Sequence, residues 1–203
     1  MSPSDKITAK KTRNPWLWVP STYIAEGIPY MIVMTVSVVM YKNLGLSNTD
    51  IALYTSWLYL PWVIKPLWSP FVDLFRTQRF WIVVTQLANG GSFACLALTL
   101  SPADFVRYTL AILWIMAFSS ATHDIAADGF YMLGLTTPEQ AAFVGVRTVF
   151  YRVATIASKG GLVILAGTLQ KYGYPVASAW SVTFVVVAAF FLALCIYHLL
   201  ILP

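Results

Sequence analysis

The sequence predicts an all-α transmembrane fold: a six-helix bundle made of two inverted three-helix repeats. Three observations carry that expectation. Of 203 residues, 59% are hydrophobic and 10% are charged, whereas a soluble domain covers its surface with roughly a quarter charged residues. The apolar residues gather into six runs, each long enough to cross a bilayer core of ~30 Å at about 1.5 Å per helical residue. The ionisable residues within those runs follow the order acid, base, none, and then acid, base, none again.

The six spans are expected at Trp16–Tyr41, Asn48–Val72, Phe80–Leu100, Tyr108–Met132, Ala141–Leu169 and Val176–Leu202. Residues 1–15 form a basic tail and residues 16–203 the bundle. The first span is longer than a signal-peptide core, carries Glu26 and has no clear small-residue cleavage site, so it is read as retained. The second contains Pro61, Pro66 and Pro70; each lacks a backbone N–H and bends a helix. Gly145, Gly160, Gly161 and Gly167 in the fifth are expected to permit close helix packing.

Orientation follows from the basic residues. With the N-terminus inside, Lys6, Lys10, Lys11, Arg13, Arg76 and Arg79 are cytoplasmic, while Lys42, Arg107 and Lys171 lie outside. That bias places both termini in the cytoplasm. It also accounts for the net charge of +5, which includes no basic stripe of the kind that binds nucleic acid.

Charges inside spans are the informative residues, because each costs at least ~2.5–3.5 kcal/mol at the bilayer centre and faces a cavity or a partner. They are Glu26 in span one, Lys65 in span two, His123, Asp124 and Asp128 in span four, and Arg147, Arg152 and Lys159 in span five. On a 3.6-residue period, Ser120, His123, Asp124, Asp128 and Tyr131 share one face. Thr148, Arg152, Thr155 and Lys159 share another, and so do Thr22, Glu26 and Tyr30. Polar stripes on apolar helices line a wet cavity. Asp124 and Asp128, at i and i+4, cannot comfortably hold two negative charges together. One of them is expected to be the proton-responsive carboxylate, with Arg152 as its charge partner and Glu26 and Lys65 completing the cavity.

Blander readings stand beside this one. The charges can form an ion-pair network that only fixes helix packing, as in a structural or assembly protein. His123 can be a satisfied core histidine or a proton relay, and with Asp124 it could serve an intramembrane acyltransferase. His198, near the last helix end, is expected at the interface. Cys95 and Cys195 are read as packing residues. The sequence contains no phosphate-binding GxxxxGK[ST] loop, no Ser-His-Asp order and no metal-ligand spacing, so neither a cofactor nor a metal is expected.

Three segments carry a family resemblance: STYIAEGIPY at Ser21–Tyr30, SWLYLPWVIKPLWSPFVD at Ser56–Asp73 and SSATHDIAADGFYM at Ser119–Met132. In these, the chain resembles the N-terminal half of the major facilitator superfamily, specifically the AmpG-like muropeptide permeases. The related acetyl-CoA transporters look similar around Asp-Ile-Ala-x-Asp. The resemblance implies a proton symporter of the bacterial inner membrane, not an enzyme. Its implied cargo is an anhydromuropeptide, a small polar organic solute recovered for peptidoglycan recycling. Helices one, two, four and five would surround the cavity. The superfamily's loop pattern GxxxDRxGRR is matched at Pro70–Arg79 by Asp73, Arg76 and Arg79 without its glycines. A gating clasp from Asp73 to the basic residues is one reading of the loop, and an ordinary positive-inside loop is the other. A full transporter of this kind has a second six-helix half, so a C-terminal half or a partner chain is the expected complement.

Overall fold

Proline placement decides the path of the chain. The computed structural model describes residues 13–101 and 104–203; the tail lysines Lys6, Lys10 and Lys11 lie outside them. Among the described residues there are five helices long and apolar enough to cross a membrane. These are α1 (Pro15–Asn43), α3 (Gln78–Thr99), α4 (Phe105–Gly134), α5 (Thr137–Lys171) and α6 (Val176–Ile201). The expected second span is instead a segmented stretch over 48–74, labelled α2 for its place in the order. It runs as α-helix Asn48–Thr55, 3-10 turn Ser56–Tyr59, α-helix Leu60–Ile64, 3-10 turn Lys65–Leu67 and α-helix Ser69–Leu74. Pro61, Pro66 and Pro70 each stand at the start of one of the later pieces. A proline there needs no N–H donor, but it cannot close the ladder from the piece before.

The long helices start where the sequence offers a cap. The Thr77 hydroxyl accepts from Phe80 N–H at 3.2 Å to open α3. Thr136 and Glu139 form a reciprocal capping box at the start of α5, with Thr136 N–H donating to Glu139 at 2.8 Å. Pro29 lies inside α1, and a π-helical turn follows at Ile32–Val36. A second π turn at Ala157–Leu162 in α5 packs against the first. Such turns concentrate at functional positions.

The packing follows an inverted-repeat pairing in three helix pairs and departs from it in a fourth, since α3 lies along α4 whereas α6 barely meets α1. α1 packs on α5 as the later pieces of α2 pack on α4, and α3 lies along α6. α1 and α5 approach closely at Gly27, where a Cβ would stand 3.0 Å from Ala154 Cβ and 3.1 Å from the Tyr151 carbonyl. A side chain there would force the neighbouring helix to shift, and small residues are common where membrane helices associate by close contact. Gly145, Gly160, Gly161 and Gly167 behave differently from expectation: nothing lies within 4 Å of where their Cβ atoms would be. They face open space, because α5 is the least enclosed of the five helices.

Two apolar clusters form the interior. One gathers Val33, Met40, Phe93, Met116, Trp180 and Phe184. The other gathers Trp18, Tyr23, Val72, Ile82, Phe130 and Tyr131. Along α4 they meet between Ala117 and Ala126, the stretch that carries His123 and Asp124. The start of α1 and the end of α6 share one end of the bundle. There the Arg13 guanidinium donates to the Leu200 carbonyl and, at 2.9 Å, to that of Ile201.

Candidate functional site

The break in α2 presents a cation to α4. Lys65 opens the 3-10 turn between two proline-limited pieces, and its Nζ lies 2.6 Å from Asp124 Oδ2. Beside it, Trp68 Nε1 donates to the Thr122 hydroxyl at 3.3 Å. Asp124 is largely covered and Lys65 about one-third exposed (18% and 35%). This is a charge-assisted bond in a half-dry place, stronger than a surface pair.

One turn further along α4, Asp128 has its own partners. Arg147 on α5 lies 3.0 Å from Asp128 Oδ1, and the Tyr23 hydroxyl on α1 donates to the same oxygen at 2.9 Å. The Arg147 guanidinium stacks between two rings, 4.8 Å from the centre of Tyr23 and 5.0 Å from that of Tyr131. Tyr131 is fixed in turn by donating to the Gln140 carbonyl at 2.5 Å. A planar cation stacked this way is one that lysine cannot replace. The expected pairing of the acids with Arg152 is therefore corrected: Asp124 pairs with Lys65 and Asp128 with Arg147.

Between α1 and α5 lies a cavity of about 500 Å³, lined by Tyr23, Glu26, Tyr30, Arg147, Tyr151 and Arg152 among others. Thr148 and Thr155 also border it. Glu26 lies within electrostatic reach of Asp124, Asp128 and Arg147. Its Oε2 is buried and has no hydrogen-bond partner. Arg152 is exposed on the cavity wall, and Lys159 is exposed in the second π turn. Neither forms an ion pair among the described residues, where Lys65–Asp124 and Arg147–Asp128 are the two found.

His123 leaves this group. It is buried, and its Nε2 lies 3.2 Å from Gln86 Nε2 on α3, on another side of α4 from Asp124. Gln86 also meets His198 Nδ1 on α6, with contacts of 2.7 and 2.9 Å. His198 Nε2 then reaches the Ser21 hydroxyl on α1 at 2.8 Å. His198 is thus a fully buried member of a four-helix polar network near the end of α6. The pattern of apolar neighbours hid this, since Gln86 and Ser21 read as ordinary polar residues within apolar runs.

At the end of α2, Asp73 accepts from Gln78 Nε2 of α3 at 2.7 Å, not from a basic residue. Arg79 donates to the Leu199 carbonyl at 2.6 Å, and Arg76 stands 5.7 Å from the centre of the Phe80 ring. The expected contact from Asp73 to Arg76 or Arg79 is therefore not formed among the described residues. Gln78 presses on Gly129 of α4, where a Cβ would come within 2.9 Å of its amide. Arg76 takes φ 72°, a left-handed conformation that favours glycine.

Cys195 is buried, as a packing residue should be, but Cys95 is exposed on the apolar outside of α3. Groups of three or more metal-ligating side chains are absent among the described residues.

Sequence reasoning missed Arg147 and Tyr23 as members of the site. Asp128–Arg147 and Asp124–Arg152 are offset to a similar degree about the turn at 135–136, so depth does not separate them. Helix rotation does. Arg147, Tyr151 and Thr155 recur at four-residue intervals on the face turned to α1, and that spacing was the available signal.

A family model described as the BT1 family matches residues 26–202. An uncharacterised protein of Schizosaccharomyces pombe is 25% identical over 204 residues, covering 84% of this chain and 38% of the relative. The anhydromuropeptide permease of Escherichia coli K12 is 28% identical over 152 residues, covering 69% of this chain and 29% of the relative. A Rickettsia prowazekii protein carrying the transporter name AmpG 3 is 32% identical over 110 residues, covering 48% of this chain and 25% of the relative. The chain therefore spans about two fifths of the first relative and less than a third of the others.

Proposed function

Because the chain belongs to the BT1 family, we propose that it forms a solute-handling bundle of a secondary active transporter driven by proton symport. The observation that carries this reading is the cavity between α1 and α5, walled by Glu26, Arg147 and Arg152 beside two acid–base pairs. Ionisable groups are kept inside a membrane bundle where they meet solute or protons. The cargo is a polar organic solute bearing a carboxylate, which the exposed Arg152 on the cavity wall can receive by two parallel hydrogen bonds. An anhydromuropeptide fits that chemistry, and the printed name of the Escherichia coli relative points the same way. The segmented α2 supplies a place for the bundle to flex while the site opens to one side and then the other. The bundle works in the bacterial inner membrane with both ends cytoplasmic, and a second bundle closes the open face of α5.

The test uses the full-length protein in proteoliposomes. Labelled anhydromuropeptide should accumulate under an inwardly directed proton gradient, and the accumulation should collapse with a protonophore. Uptake that merely equilibrates, and is indifferent to the gradient, would refute proton symport. Absence of any uptake would refute this cargo.

A further inference from the structure

Three acids share the site, and two of them already have cations. Asp124 holds Lys65, and Asp128 holds Arg147 together with the Tyr23 hydroxyl. Glu26 is the third. The groups around it are Tyr23 and Tyr30 from α1, Lys65 from α2, Asp124 and Asp128 from α4, and Arg147, Tyr151 and Arg152 from α5. Of the cations, Lys65 and Arg147 are each within bonding distance of an aspartate, and Arg152 forms no ion pair with Glu26. Glu26 Oε2 is buried and accepts no hydrogen bond.

An ionised carboxylate in that position would have a desolvated oxygen without a donor, beside two further negative groups. A carboxylic acid there has no such cost. It carries no charge, and its O–H is a donor in a neighbourhood rich in acceptors. Glu26 also borders the cavity, so water can reach it from the side to which the cavity is open.

We infer that Glu26 is the proton carrier of the site, while Asp124 and Asp128 remain engaged in their ion pairs with Lys65 and Arg147. The inference rests on the transport reading above and assigns within it a role that the spacing of Asp124 and Asp128 had reserved for those residues. The proton passes from water on the loading side to a Glu26 carboxylate oxygen, and from there to water on the release side. No other reactant is consumed. The same step explains coupling to an anionic solute. With Glu26 neutral, Arg152 on the same wall offers uncompensated positive charge to a carboxylate. When the proton leaves, a negative group appears beside the bound solute and weakens its hold.

The test pairs a readout that needs no solute with one that does. The full-length protein in lipid should show, by infrared difference spectroscopy across a pH titration, the carbonyl stretch of a protonated carboxylic acid that disappears at alkaline pH. Glu26→Gln should lack that titrating band, and Asp124→Asn and Asp128→Asn should keep it. Glu26→Asp guards against a misfolded glutamine variant, since it should keep a titrating band at a shifted frequency. In proteoliposomes, Glu26→Gln should exchange labelled anhydromuropeptide across the membrane but lose gradient-driven accumulation at least tenfold. An unchanged band in Glu26→Gln, or its loss in Asp124→Asn or Asp128→Asn instead, overturns the inference. If the parent moves no anhydromuropeptide, the cargo reading fails, and the infrared result still decides the role of Glu26.

Discussion

Removing Lys65 should cost the bundle more stability than removing both members of its pair. The bond to Asp124 is 2.6 Å long, with the lysine about one-third exposed and the aspartate mostly covered (35% and 18%). Stripping one partner from a fully buried pair costs ~3–5 kcal/mol, because the other charge is left desolvated. An exposed pair is worth only ~0–1 kcal/mol. The half-dry setting of Lys65 puts Lys65→Met between these limits, at about 2 kcal/mol. Asp124→Leu should cost a similar amount by stranding the ammonium. The double variant removes both stranded charges and should stay within about 1 kcal/mol of the parent, so the coupling energy is roughly 3–4 kcal/mol. Reversible unfolding of the full-length protein in mixed micelles titrated with sodium dodecyl sulfate would measure each corner of the cycle. If the two single losses simply add in the double variant, the pair is not an interacting unit and its place in the site is wrong.

Two further outcomes follow from single side chains. Arg147→Lys keeps the charge but loses the stack between Tyr23 and Tyr131, at 4.8 and 5.0 Å. It should therefore cost about 1–2 kcal/mol in the same unfolding assay, and equality with the parent would refute the stacked geometry. Arg76→Gly relieves a left-handed backbone at φ 72° and should stabilise the protein by about 1 kcal/mol; a destabilised variant would show that the Arg76 side chain matters more than its strain.

The bundle was legible in the sequence because bilayer thickness imposes a length on each run. The expected spans fall within a few residues of α1, α3, α4, α5 and α6, differing at the ends where capping residues such as Thr77 and Thr136 extend the helix. Pro61, Pro66 and Pro70 announced bends in α2, but their combined effect is larger: three prolines within ten residues cut it into short α-helical pieces separated by 3-10 turns. Charge depth was legible as well, since Glu26, Lys65, Asp124 and Arg152 come near one cavity. Partnership was not. His123 and Asp124 are neighbours in sequence, yet they serve different sides of α4, and an arc that contains both on a helical wheel spans two packing interfaces. The Asp128–Arg147 pair depends on the rotation of α5, which Gly27 sets by letting α1 approach so closely. Gln86 and Ser21 gave no sequence signal, because their role arises only when four helices bring them to His198.

The account turns on the cavity between α1 and α5 being the solute path, and substrate protection of a cysteine on its wall tests that most directly. Thr148 is exposed there. In the full-length protein, Cys95 and Cys195 would first be replaced by alanine, and Thr148→Cys then labelled with a polar methanethiosulfonate reagent. Saturating anhydromuropeptide should slow the labelling at least fivefold, while a cysteine at the lipid-facing Val185 on α6 should be indifferent to it. Labelling of Thr148→Cys at an unchanged rate, in protein that still takes up the solute, would place the path elsewhere and contradict the account.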